Sequence, residues 1–140
     1  MPKKKLVSAE VQASWFARIR KAHQQETTED YIELLADLLE VQGEARLVDL
    51  ARRLGVAHPT ASKMLLRLKE EGYVENQPYR SIFLTEKGWA LAKKCKERHH
   101  IVLDFLIRLG IEPNIAQYDA EGIEHHISDE TLEVFKNFKV

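Results

Sequence analysis

Asp30 and Glu33 lie in the run Glu29-Asp30-Tyr31-Ile32-Glu33, and about ninety residues later the chain reads Glu121-Gly122-Ile123-Glu124-His125-His126. On a helix, positions i, i+3 and i+4 share a face. Asp30 and Glu33 are therefore expected to point the same way, roughly 4.5 Å apart along their helix axis. The same spacing groups Glu121, Glu124 and His125, and His99, within Glu97-Arg98-His99-His100, offers a third face. Acids crowded on facing surfaces repel one another unless a cation sits between them. Carboxylate oxygens with a minority of imidazoles suit Mn²⁺ or Fe²⁺, and the lack of thiolates argues against a structural zinc site. The set exceeds what a single ion usually takes from a protein, so two ions sharing a bridging acid are expected. The plainer reading leaves these acids solvated and capping helices. His100 and His126 step off the shared faces by about 100° and are left out.

The elements that must position these groups can be read from periodicity. Residues 8–25 read as an amphipathic helix with Val11, Trp15, Ile19 and Ala22 at helical spacing. Thr27 or Thr28 is expected to cap a second helix that carries Asp30 and Glu33 and stops at Gly43. Residues 46–54 form a short helix with Leu47, Leu50, Ala51 and Leu54 inward; Gly55-Val56-Ala57 turns the chain, and Pro59 opens a further helix that ends near Gly72. That is a helix-turn-helix. After Gly72 the period changes to two: Tyr73-Val74-Glu75 and Ser81–Thr85 are expected strands of a β-hairpin wing. Helices are then expected over 86–109, 113–127 and 128–138, stopped or started by Gly110, Pro113 and Ser128. The expected fold is mainly α with a small β-hairpin wing. A winged helix-turn-helix domain over residues 1–85 is followed by a helical dimerisation and metal-binding domain over residues 86–140.

A recognition helix needs short polar side chains on its first exposed turns so that its backbone can approach base edges. His58-Pro59-Thr60-Ala61-Ser62-Lys63 has that character. Met64, Leu65 and Leu68 face the core, which leaves Thr60, Ser62, Lys63 and Arg67 as DNA-contact candidates. Arg80, at the wing tip, could enter a minor groove or clamp the backbone.

The net charge of −1 hides a division. Residues 1–25 hold six Lys/Arg against Glu10, and residues 46–85 hold seven against four acids, so the DNA-reading segment is locally basic. Residues 86–140 hold eight against ten acids. With 140 residues, 44% apolar and 31% charged, the chain has the composition of an ordinary globular protein. No apolar run approaches the ~18 residues that span a bilayer, and an amphipathic stretch follows the basic start, so neither membrane nor export is expected. The one cysteine, Cys95, cannot form an internal disulfide, which fits the reducing cytoplasm, and it is expected to be a small buried hydrophobe. Apolar residues of the last helices (Ile101, Val102, Phe105, Leu106, Leu109, Leu132, Phe135, Phe138) are too many to face water, and a homodimer is expected to cover them.

Taken together, the Asp30/Glu33 run, the segment Gly55…Lys63, Arg98-His99 and the Glu121–His126 run resemble the manganese transport regulators. These form a short branch of the diphtheria-toxin-repressor family of metal-dependent repressors. The resemblance extends from about residue 8 to residue 138, and residues 1–25 are similar to the longer N-terminal helix of the proteobacterial type. It implies that Asp30, Glu33, His99, Glu121, Glu124 and His125 hold Mn(II), two ions per subunit. The iron-sensing branch typically carries a methionine where Asp30 stands and a cysteine where Glu124 stands; their absence favours manganese. The resemblance further implies a repressor that binds a palindromic double-stranded operator as a homodimer and controls manganese uptake or efflux genes, with no small organic substrate. One alternative is a winged-helix regulator responding to Fe(II) or another effector. A dinuclear carboxylate enzyme would need Glu-x-x-His on two helices. Only Glu97…His100 fits that pattern, so catalysis is not expected.

Overall fold

The computed structural model describes residues 5–76 and 81–139. Among the described residues six helices and one hairpin follow one another as α1 (Ala9–Gln42), α2 (Leu47–Leu54), α3 (His58–Glu70), β1 (Val74–Glu75), β2 (Phe83–Leu84), α4 (Glu86–Arg108), α5 (Pro113–Ile123) and α6 (Asp129–Asn137). A mainly helical chain with a two-stranded wing is thus the architecture, as the periodicity implies.

The two helices expected before residue 43 are one. No glycine or proline interrupts the stretch, and Thr27 does not cap: its hydroxyl donates to the His23 carbonyl one turn back, at 3.3 Å. Ser8 is the actual cap, accepting from the Val11 N–H, and the helix stops at Gly43, whose N–H donates to the Leu39 carbonyl. Only the second half of α1 joins the core. Its buried residues begin at Thr28, whereas Val11, Trp15, Phe16 and Ile19 stay exposed.

Tyr31, Ile32, Leu35, Ala36 and Leu38 of α1 form one core with Leu50 and Ala51 of α2, Ala61, Leu65 and Leu68 of α3, and Val74, Ile82 and Leu84 around the wing. The turn between α2 and α3 needs a left-handed residue, and Gly55 supplies it at φ 70°. Gly55 and Val56 donate their N–H groups to the Arg52 and Ala51 carbonyls, closing α2. The strands are shorter than expected, pairing antiparallel as Val74 with Leu84 and Glu75 with Phe83. Their base is tied to the loop after α1, where the Ala45 N–H donates to the Ser81 hydroxyl at 2.7 Å and the Ile82 N–H to the Ala45 carbonyl at 2.8 Å. Residues 77–80, including Arg80, lie outside the described residues.

Helix α4 joins the two halves. Thr85 caps it by accepting from the Gly88 N–H. Gly88 lets its first turn press on the wing: a Cβ there would stand 2.3 Å from the Tyr73 carbonyl oxygen. Beyond that turn α4 packs against α1 on one side and against α5 and α6 on the other. Near the C-terminus, Phe105 stacks on Phe135 with ring centroids 4.0 Å apart and meets Phe138 edge-on at 5.5 Å. Part of the apolar surface assigned above to a partner is therefore covered within the chain, while Leu109 remains half exposed.

Candidate metal centre

Helix α5 stops at Ile123, four residues sooner than expected, so Glu124 and His125 stand on its closing turn and not on a regular helical face. The Glu124 N–H still donates to Ala120, but His125 and His126 donate three residues back, to Gly122 and Ile123, tightening the turn. Two partners enforce this ending. Ser128 caps α6 by accepting from the Thr131 N–H. Arg98 of α4 donates to the Glu124 carbonyl at 3.1 Å and to the Ile127 carbonyl, and pairs with Asp129 at 3.0 Å. The guanidinium thereby satisfies carbonyls that the helix end leaves free.

The tightened turn splits the face that straight helical spacing would give. Glu124 and Glu121 look toward α4, where His99 Nδ1 lies 2.7 Å from Glu124 Oε2 and 3.6 Å from Glu121 Oε1. His125 looks toward α1, with Nδ1 2.8 Å from Glu29 Oε2 and Nε2 3.1 Å from Asp30 Oδ1. Glu124 Oε1 returns to 3.3 Å from His125 Nε2. All six candidate ligands therefore meet in one cluster. Among the described residues, Glu33, Glu124 and His125 form one triad of converging donor atoms and His99, Glu121 and Glu124 form another, each with donors within 4.8 Å of one another. Glu124 belongs to both.

Glu124 is 1% exposed and His125 7%, whereas Asp30 and Glu121 open to solvent. Among the described residues four buried side-chain atoms have no hydrogen-bond partner, and three of them, Glu33 Oε1, Glu124 Oε1 and His125 Nε2, belong to this cluster. Leaving such atoms unpaired costs about 1–3 kcal/mol each. Protons carry part of the imbalance. Burial pushes Glu33 up to about 7 despite the pull of His125. Burial likewise pushes Glu124 up to about 8, with Glu33 adding to it. For His125 burial works against the charge, yet the carboxylates of Asp30 and Glu29 at its two nitrogens outweigh it and raise it to about 10. A divalent cation fits this chemistry: it would satisfy the orphaned atoms and replace the protons, and the oxygen-rich, thiolate-free donor set suits Mn²⁺ or Fe²⁺. Cys95 is buried beside the cluster, and burial followed by the nearby Glu29 carboxylate pushes its thiol up, so it stays neutral.

Two residues of this corner escaped the sequence reading. Glu29 holds His125 Nδ1, as carboxylates behind ligand imidazoles do; it adjoins Asp30 in sequence but points elsewhere on the helix. Gln117 Nε2 lies 3.0 Å from His99 Nε2 and 3.1 Å from Glu121 Oε1, fixing the ring's far edge. Only its position one turn before Glu121 could have signalled it.

On the DNA-reading side, Thr60, Lys63 and Arg67 are exposed on α3 and Ser62 is half-buried. Thr60, Lys63 and Arg67 line a concavity with Thr27 and Tyr31 of α1. Arg67 is paired with Glu71 at 3.0 Å, one turn on, with both side chains well exposed.

Residues 23–82 match the family model "Iron dependent repressor, N-terminal DNA binding domain". Residues 85–138 match "Iron dependent repressor, metal binding and dimerisation domain". The chain is 50% identical over 133 residues to the transcriptional regulator MntR of Escherichia coli O157:H7, a span covering 95% of this chain and 86% of that protein. It is 40% identical over 100 residues to the HTH-type transcriptional regulator MntR of Listeria monocytogenes serotype 4b (strain F2365), covering 71% and 70%. Among solved structures, the manganese regulator SloR is similar with a TM-score of 0.68 at 28% identity, over 79% of this chain and 52% of that one. A manganese-dependent transcriptional repressor complexed with manganese gives 0.69 at 29%, over 76% and 50%. The chain spans about half the length of these two solved structures.

Proposed function

The chain belongs to the iron-dependent repressor family, and we propose that it is a manganese-responsive transcriptional repressor that binds operator DNA as a homodimer. The names of its relatives support manganese as effector, as do the carboxylate at Asp30 and the carboxylate at Glu124. The observation that carries the reading is Glu124, sealed from solvent and shared by two donor triads that join α1 to α4 and α5.

In this reading residues 1–85 form the DNA-binding half and residues 86–140 the dimerisation half. Asp30 and Glu33 are the first half's contribution to the metal centre. His99, Glu121, Glu124 and His125 are the second's, and together the six residues would hold two ions per subunit. When bound, the ions supply the positive charge that cancels the repulsion among these acids. Asp30 and Glu33 are rigidly continuous with the core that carries α2 and α3, so fixing them against Glu124 and His125 fixes the direction of α3. In a homodimer, two α3 helices so fixed can meet successive major grooves of a palindromic site, about 34 Å apart. Thr60, Ser62, Lys63 and Arg67 supply the contacts there, and Arg80 is a further candidate contact.

The genes controlled are those of manganese uptake or efflux. The protein is a regulator and not a catalyst, and works in the cytoplasm; no described helix is long and apolar enough to cross a membrane. The test is fluorescence anisotropy on a duplex selected from genomic fragments by the protein in Mn²⁺. Affinity in Mn²⁺ should exceed that in chelator by on the order of 100-fold; equal affinities would overturn the proposal.

A further inference from the structure

Among the described residues a third convergence of donor atoms lies apart from the two triads: His23, Glu26 and His126. His23 and Glu26 stand one turn apart on α1, in the half that buries little, and His126 extends from the closing turn of α5 to Glu26, one turn before the Glu29 that holds His125. The tightened turn after α5 presents His126 to Glu26.

Both imidazoles converge on a single carboxylate oxygen. His126 Nε2 lies 2.6 Å from Glu26 Oε2, and His23 Nδ1 lies 3.6 Å from the same atom. The first distance is a hydrogen bond, but the second is too long for one, so pairing between Glu26 and His126 does not account for His23. The two rings meet edge to face with centroids 4.9 Å apart. A zinc ion bound by nitrogen and oxygen at ~2.0–2.1 Å in a tetrahedron places its donors about 3.3 Å from one another. The two observed separations bracket that value, so shifts of under an ångström would seat an ion. Glu26 and His126 are about a third exposed and His23 is 65% exposed, which leaves room for water as the fourth ligand.

We infer that His23, Glu26 and His126 form a separate divalent-cation site that prefers borderline, nitrogen-seeking ions, Zn²⁺ above Mn²⁺, and pins α1 to the turn ending α5. Two imidazoles and one carboxylate make it nitrogen-rich, whereas the cluster around Glu124 holds four carboxylates to two imidazoles. The site stands whether or not the Glu124 cluster takes manganese.

The test uses the full chain, stripped of metal, with Co²⁺ as the spectroscopic stand-in for Zn²⁺. Equilibrium dialysis should find one Co²⁺ per chain fewer in His23→Ala than in the unaltered protein. The strong visible absorption of four-coordinate Co²⁺ should vanish with it. Because His23 is exposed, the variant should melt at the same temperature and keep its Mn²⁺ response on DNA. Glu33→Gln, which alters the other cluster, should keep the Co²⁺ absorption. Equal Co²⁺ stoichiometry and equal absorption in the unaltered protein and His23→Ala would overturn the proposal.

Discussion

Ile32, Leu35, Leu50 and Leu68 are fully sealed from solvent among other apolar side chains, while Glu124, 1% exposed, is sealed among acids and imidazoles. The two regions share α1, which turns Ile32 and Leu35 to one and Asp30 and Glu33 to the other. In the first, burial itself stabilises, at about 1.5–3 kcal/mol for each large side chain. In the second, burial strips water from charges, and Glu33 Oε1, Glu124 Oε1 and His125 Nε2 receive no hydrogen bond in return. The helix-turn-helix is therefore complete without a ligand, and the polar corner is not. In the proposed reading, control of DNA binding resides where the fold is left unsatisfied.

A ligand-dependent apolar region would erase this difference altogether. Leu68→Ala should lower stability by about 2–5 kcal/mol, and by the same amount in Mn²⁺ and in chelator, as read by denaturant melts. A loss confined to one condition would mean that the two regions do not stand independently. Glu124→Ala should do the reverse. Its melt in chelator should change little, because removing the acid also removes its repulsion, while the Mn²⁺ enhancement of DNA affinity, on the order of 100-fold, should disappear. An undiminished enhancement would remove Glu124 from the centre.

Acidity sharpens the same contrast. Glu33 and Glu124 are raised to about 7 and about 8 from the usual carboxylate value, and His125 is raised to about 10. Each group binds its proton more tightly folded than unfolded, so each contributes stability that is whole below its unfolded value and is lost as pH climbs through its folded one. Metal-free protein should therefore melt at progressively lower temperature from about pH 5 to pH 8, and further as His125 titrates. Mn²⁺ should displace the protons and flatten this dependence, with protons released on binding. A flat melting profile in chelator would show that the corner is not strained.

Much of this was legible beforehand. Leu47, Leu50, Ala51 and Leu54, followed by Gly55 and Pro59, dictate helix-turn-helix geometry through local rules, and the structure follows them. Asp30, Glu33, His99 and Glu121 lie on helices whose faces are set by their own periodicity, whereas Glu124 and His125 reach them from the tightened turn after α5. What failed was the end of α5, because competition from Ser128 as a cap and from Arg98 as a carbonyl partner is decided by distant residues. That ending turns His125 toward α1, and so decides that Glu29 is its partner. Glu29→Gln should weaken Mn²⁺ binding by about 10–100-fold while leaving every donor in place. Isothermal titration can check this, and unchanged affinity would reduce Glu29 to a bystander.

The smallest effect expected lies on the DNA-reading side, where the polar corner should not be felt at all. Lys63 is exposed beside Thr60 and Arg67 in the concavity between α3 and α1. A lysine there that meets a phosphate neutralises one charge and releases about one counterion, so Lys63→Ala should weaken all duplexes alike, by about 1 kcal/mol, and reduce the salt slope of log affinity by about 1. The Mn²⁺-to-chelator ratio should not move, since Lys63 touches no member of the metal centre. Arg67 starts from an exposed pair with Glu71, worth about 0–1 kcal/mol, and can exchange that partner for a phosphate at little cost. If Lys63→Ala instead weakened one sequence far more than the others, Lys63 would be reading a base edge. If it altered the Mn²⁺ ratio, the separation between a finished apolar half and an unfinished polar corner would fail at the residue farthest in chemistry from that corner.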